Sequence, residues 1–192
     1  VRVNHGQVLM GHALPLLSRI ADAAADIAVV GFAHWHGTTA GPEYRGLLRD
    51  FRKLAEEGNA AGSLPRFVWL EAVPTHYAQQ HGLYTGGDPP FECAPLHVAL
   101  QGDGSLAATD EWSDVVVGGG SHNRAAREAF AGSQIAMTQF WNATVEAWEG
   151  HRVLPDGRGQ ECGHYCFPGV PAAWVYHVSR AIRDAPWGLA TK

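Results

Sequence analysis

DIAVVGF, residues 26–32, sets β-branched and small apolar residues on consecutive positions. That is the pattern of a strand buried on both faces, as in a parallel sheet. A glycine-bearing turn follows, and Pro42 opens a helix predicted to run to about Glu57. Tyr44, Leu47, Leu48, Phe51, Leu54 and Ala55 keep the spacing of one helical face, and proline suits a first turn. Gly58 and Gly62 are expected to stop this helix. RFVWLE, residues 66–71, reads as the next strand. Strand–helix–strand units of this kind build parallel sheets with right-handed crossovers.

Working outward, residues 72–120 are rich in Gly, Pro, His and Asp and hold no lasting period. A long insertion of that kind in a compact domain is usually functional, and its aromatic content predicts order. Residues 123–131 read as a short helix. Residues 134–140 read either as a third parallel strand or as a continuation of that helix. Pro171 opens a last helix with Trp174, Val175, Val178, Ala181 and Ile182 on its packed side. Residues 7–25 form an Ala- and Leu-rich helical segment broken at Pro15. The sum is one α/β domain over residues 1–192, a three-layer α/β/α sandwich with a parallel sheet.

Composition narrows the partners. The 192 residues carry a formal charge of −5 with 14 Lys and Arg, so no basic stripe exists to hold a nucleic acid. No apolar run is long enough to span a membrane. Seven Trp and 11 His suit a carbohydrate ligand as readily as they suit core and surface. Of the three cysteines, Cys93 is expected to bridge to Cys162 or Cys166, pinning the two loops together and leaving one thiol over.

Functional loops of open parallel sheets leave the carboxyl ends of the strands. Three such exits are rich in polar groups: Ala33-His34-Trp35-His36, Glu71-Ala72-Val73-Pro74-Thr75-His76, and the stretch leading to Glu161-Cys162-Gly163-His164. The sharpest local signal is GQECGHYCFPGVPAAW, residues 159–174. Glu161 stands three residues before His164, and a carboxylate beside an imidazole can fix its tautomer and stabilise its charged form. An imidazole so held can accept a proton from an alcohol. Glu71 is the alternative carboxylate. His34, Trp35, Glu71, His76 and Tyr165 are candidate substrate contacts. Cys162, His164 and Cys166 also offer a metal three donors, but no second pair stands nearby, so neither a metal nor any other cofactor is expected. No serine occupies a nucleophile motif. Ser121, in GGGSHN, comes nearest and reads better as a helix N-terminal residue.

AVVGFAHWH from Ala28, FVWLEAVPTHY, GGDPPFEC and ECGHYCFPGVPAAW together resemble the trichome-birefringence-like polysaccharide O-acetyltransferases of the PC-esterase group, in the SGNH/GDSL superfamily. The resemblance runs from about residue 20 to 184. It implies an SGNH-hydrolase-like fold and a Ser-His-Asp site in which His164 is the base and Glu161 replaces the family's Asp. Tyr165 and Ala172 replace the family's Trp and Asp, and Gly31 falls where the family's oxyanion-supporting Asn stands. The family's G-D-S nucleophile segment lies upstream of anything found here. The chain is therefore expected to be a carboxy-terminal portion lacking that segment and the first strand, and inactive alone. The complete parent would be a serine-type O-acetyltransferase or O-acetyl esterase of cell-wall polysaccharide, taking an acetyl-ester donor and a polysaccharide acceptor. It would work in the secretory pathway, in the Golgi lumen, with any membrane anchor in an N-terminal segment. The rival expectation is a catalytically inactive carbohydrate-binding or degenerate module.

Overall fold

The computed structural model describes residues 27–33, 39–61, 65–103, 105–109, 114–117, 119–155 and 157–187. The helix expected over 7–25, and His34, Trp35 and His36, lie outside the described residues. Among the described residues the fold is mixed α/β around a three-stranded parallel sheet. Strands β1 (Ile27–Val30), β2 (Arg66–Trp69) and β5 (Ala136–Met137) lie in the order β1-β2-β5. Helix α1 (Pro42–Ala61) makes the crossover between β1 and β2. Of residues 134–140 only Ala136–Met137 forms strand, pairing Val68 with Ala136 and Trp69 with Met137, and none of them is helical.

Period-two alternation along β2 sends side chains to both sheet faces. Phe67 and Trp69 meet Tyr44, Leu48, Phe51 and Ala55 of α1, together with Ala125, Ala126 and Phe130 of α3 (Gly120–Phe130). The aromatic rings there pack edge-on, Phe51 to Phe67 at 5.2 Å and Trp69 to Phe130 at 5.0 Å between centroids. On the opposite face Val68 and Ala136 pack against Ala181 of α5 (Gly169–Arg183). Helices therefore cover both faces of the central strand.

Three expectations change. β1 is not buried on both faces: Ile27 is 39% and Val29 47% exposed, because among the described residues β1 stands at the edge of the sheet and α1 covers one of its sides. Helix α1 continues past Gly58, which is buried inside it. Glycine in a helix costs only about 1 kcal/mol, and the packing of the apolar face outweighs that. α5 starts at Gly169, two residues before Pro171, and Val175 points to solvent at 68% exposure. Proline is tolerated there because first-turn amides have no helical partner.

The insertion is ordered where described. It contains a 3₁₀ turn at Gln80–Gly82, a hairpin of β3 (Val98–Leu100) and β4 (Leu106–Ala108), and the short helix α2 (Asp114–Val117). Trp141 at the start of α4 (Trp141–Thr144) packs with Leu96, Leu106, Val116 and Val145. A second antiparallel pair, β6 (His151–Val153) and β7 (Gln160–Tyr165), follows α4. No helix among the described residues is long and apolar enough to cross a membrane.

Candidate functional site

The ECGHY segment is strand β7, and in a regular strand residues three apart face opposite ways. Glu161 and His164 would then never meet. The register removes that obstacle. Arg152 pairs with Glu161, yet the preceding residue, His151, pairs with Tyr165. Residues 162–164 therefore bulge out of the ladder, and a bulge re-aims the side chains it carries. The result is an ion-pair contact of 2.5 Å between His164 Nδ1 and Glu161 Oε1. The His164 side chain is 67% exposed and that of Glu161 31%.

The bulge is anchored on every side. Cys162 is fully buried and bonded to Cys93, so of the two pairings open to Cys93 this is the one formed. Cys166 is the free, exposed thiol. The His76 amide donates to the Cys162 carbonyl at 3.0 Å, and the Cys166 amide to the Gly150 carbonyl at 2.9 Å. At the strand's entry Gly159 adopts φ +77° against the Phe91 backbone, where an added Cβ would clash with the carbonyl and sit 2.8 Å from the nitrogen.

Behind the bulge lies a buried network that sequence reading did not assemble. His76 is fully enclosed and His151 is 2% exposed. His76 Nε2 donates to the Val145 carbonyl at 2.8 Å, and His151 Nδ1 donates to the His164 carbonyl at 3.1 Å. Carbonyls only accept, so both assignments follow from chemistry. With both rings neutral, His76 Nδ1 and His151 Nε2 then face each other as two lone pairs at 2.8 Å. The Tyr165 hydroxyl donates to the Pro74 carbonyl at 2.9 Å, and its oxygen lies 3.2 Å from His76 Nδ1. Its ring stacks on His151 at 4.1 Å. A proton shared between the two imidazoles would complete the set, but burial opposes the charge and pushes His76 down to about 4. Burial also lowers His151 and raises the Tyr165 phenol.

The expected substrate contacts divide accordingly. His76, expected as a substrate contact, is fully enclosed behind the bulge, with Nε2 on the Val145 carbonyl and Nδ1 turned to His151. Tyr165 is half-buried with its hydroxyl turned to Pro74 and His76. Glu71 is 5% exposed and does not serve His164. Its Oε1 accepts from Arg127 at 2.8 Å, and its Oε2 accepts the Phe140 and Trp141 amides at 3.0 and 3.1 Å. Burial raises its pKa, and these donors pull it partly back. It ties the end of β2 to α3 and α4 at the wall of a cavity of about 670 Å³. Gly31 stands where a Cβ would lie 2.8 Å from the Leu70 carbonyl oxygen, so no Asn side chain fits there.

The described serines are engaged elsewhere. Ser121 lies in the first turn of α3 behind the Gly119 cap, and its Oγ accepts the Ala40 amide at 3.0 Å rather than an amide of its own helix. Ser105 bonds Asp103, Ser133 accepts the Ile135 amide and Ser179 donates to Val175. Among the described residues no group of three or more His, Cys, Asp or Glu could hold a metal ion. No protein-family model matches the chain, and no curated protein matches it.

Two outcomes follow from this geometry. The Cys93–Cys162 bridge closes a loop with a sequence separation of 69 residues, so replacing both cysteines by Ala should lower unfolding free energy by about 2–4 kcal/mol in urea titrations. An unchanged midpoint would mean the bulge holds without it. His76 binds a proton near 6.5 when unfolded and only near 4 when folded. Its contribution is therefore complete above pH 6.5 and is lost as pH falls toward 4, by about 3 kcal/mol. The urea midpoint over that window, and the His76 ring proton shift in NMR, measure it. A His76 that titrates near 6.5 in the folded protein would refute the assignment.

Proposed function

We propose that the Glu161–His164 pair is the acid–base half of a serine-type acyl-transfer site acting on O-acetyl groups of a polysaccharide. One observation carries the reading: with Nδ1–H held by the Glu161 carboxylate, the lone pair of His164 lies on Nε2, on an exposed ring. That is the arrangement a general base needs. The nucleophile in this reading is a serine outside the described residues. Nε2 takes the hydroxyl proton as the serine oxygen bonds to the acetyl carbon. The tetrahedral intermediate collapses, the donor alcohol leaves, and the imidazolium returns the proton to it. A sugar hydroxyl or water then gives its proton to Nε2 as its oxygen bonds to the acetyl carbon, the bond from that carbon to the serine oxygen breaks, and the imidazolium returns the proton to the serine. Since Gly31 brings no side chain, backbone amides are the oxyanion donors.

The resemblance to the trichome-birefringence-like O-acetyltransferases supports this reading at the same residues. The three-layer SGNH-type arrangement belongs to it, supported by helices on both faces of β2. Placement in the secretory pathway, at the Golgi lumen, is supported by the Cys93–Cys162 bridge, which oxidising compartments preserve. A second reading, carbohydrate binding without turnover, is favoured by the engagement of Ser105, Ser121, Ser133 and Ser179 away from His164.

The test is acetyl release or transfer by the full-length protein on acetylated xylo-oligosaccharides, followed by mass spectrometry. His164→Ala and Glu161→Gln should each lower turnover by about 100-fold or more. Undiminished turnover by His164→Ala refutes acyl transfer through this pair, and sugar binding with no turnover in the wild type favours the second reading.

A further inference from the structure

Tyr77, Tyr84 and Phe91 form an aromatic trio on the 77–93 loop. Their centroids lie 5.3 Å (Tyr77–Tyr84), 5.6 Å (Tyr77–Phe91) and 5.8 Å (Tyr84–Phe91) apart. Two of the three contacts are edge-on, and the rings touch one another. They therefore leave no cage for a cation, and they brace each other as one rigid surface. Tyr84 is the outward member, 49% exposed, and its hydroxyl donates to the Gly87 carbonyl at 2.9 Å. Gln79 locks the same loop: its Oε1 accepts the Thr85 amide at 2.6 Å and its Nε2 donates to the Gly86 carbonyl at 2.8 Å.

The trio adjoins the bulge. A Cβ on Gly163 would lie 3.5 Å from the Tyr77 hydroxyl, and Glu161 is near enough to help burial raise the Tyr77 phenol. The Gln160 amide donates to the Phe91 carbonyl at 2.8 Å, and Tyr77 pairs with Cys93 beside the disulfide. Beyond Tyr77 opens a cavity of about 370 Å³ walled by His81, Leu96 and His97 among others. His81 is held there at φ 56°, a left-handed backbone that a non-glycine residue adopts at a cost.

We propose that the exposed face of Tyr84, braced by Tyr77 and Phe91, is the platform on which one pyranose ring of a neutral polysaccharide stacks beside the Glu161–His164 pair. This rests on the acyl-transfer reading for its placement: the stacked ring belongs to the chain that loses or gains the acetyl group. The chemistry selects that occupant. A pyranose offers a C–H face to the ring and a rim of hydroxyls to acceptors, and the same 77–93 loop carries the exposed residues Asp88 and Glu92. An acidic polymer would be repelled by those carboxylates, and an apolar peptide would need a broader apolar surface than one half-exposed ring.

Calorimetric titration of the full-length protein with xylohexaose and cellohexaose tests this, alongside kcat and KM on acetylated xylo-oligosaccharides. Tyr84→Ala should weaken binding of at least one hexasaccharide by about tenfold or more and raise KM more than it lowers kcat. Tyr84→Phe keeps the ring without its hydroxyl and should bind within about threefold of wild type. Circular dichroism of both variants checks the fold. His164→Ala should leave binding intact while turnover falls. If Tyr84→Ala binds as wild type while His164→Ala still loses turnover, the platform is refuted and the acyl-transfer reading stands. If Tyr84→Ala loses binding in a protein with no turnover to lose, the platform stands and that reading falls. Failure of wild-type protein to bind either sugar at millimolar concentration overturns the platform.

Discussion

Opposite the single step from Arg152 to His151, the partner strand advances from Glu161 to Tyr165. Those extra residues set the geometry of the site. Strand alternation would put Glu161 and His164 on opposite faces, and only the broken ladder lets them meet. The chain holds the break open with a covalent bond at Cys162, a hydrogen bond to the Cys162 carbonyl and another to the His164 carbonyl. None of these involves the Glu161 or His164 side chain. The support is thus separate from the groups it supports, which leaves the imidazole free to present its other nitrogen outward.

The support reaches further than the hairpin. His76 and Cys93 belong to the long insertion after β2, so the bulge is fastened to a segment distant in sequence. His76 also bonds Val145, just past α4, and α4 is held by the buried Glu71 carboxylate at the end of β2. The parallel sheet therefore positions the Glu161–His164 pair indirectly, through Glu71, α4 and the imidazole pair. The same insertion carries the tyrosines beside the bulge. One connected set of contacts joins the sheet, the His164 imidazole and the aromatic surface.

What was legible in the sequence follows the range of each signal. The β1–α1–β2 unit could be read because its pattern is local: consecutive apolar residues, then a helical stripe. The exposure of Ile27 and Val29 could not, because whether a strand lies at an edge depends on its neighbours. The Glu161–His164 pair was legible from its spacing, although that spacing requires a bulge no local pattern announces. Cys93 was a candidate partner for either cysteine of CGHYC, and chain geometry selects Cys162. His151 was missed entirely. It sits in a short, charged strand with no motif around it, and only burial against His76 and Tyr165 gives it a role.

The central claim is that the Glu161 carboxylate sets which nitrogen of His164 carries the proton. A long-range ¹H–¹⁵N correlation spectrum of the protein, recorded where His164 is neutral, reads this directly. The account predicts a single tautomer with the proton on Nδ1 and a bare Nε2, and an averaged pair of tautomers after Glu161→Gln. A His164 that carries its proton on Nε2, or averages between both nitrogens in the unmodified protein, would contradict it.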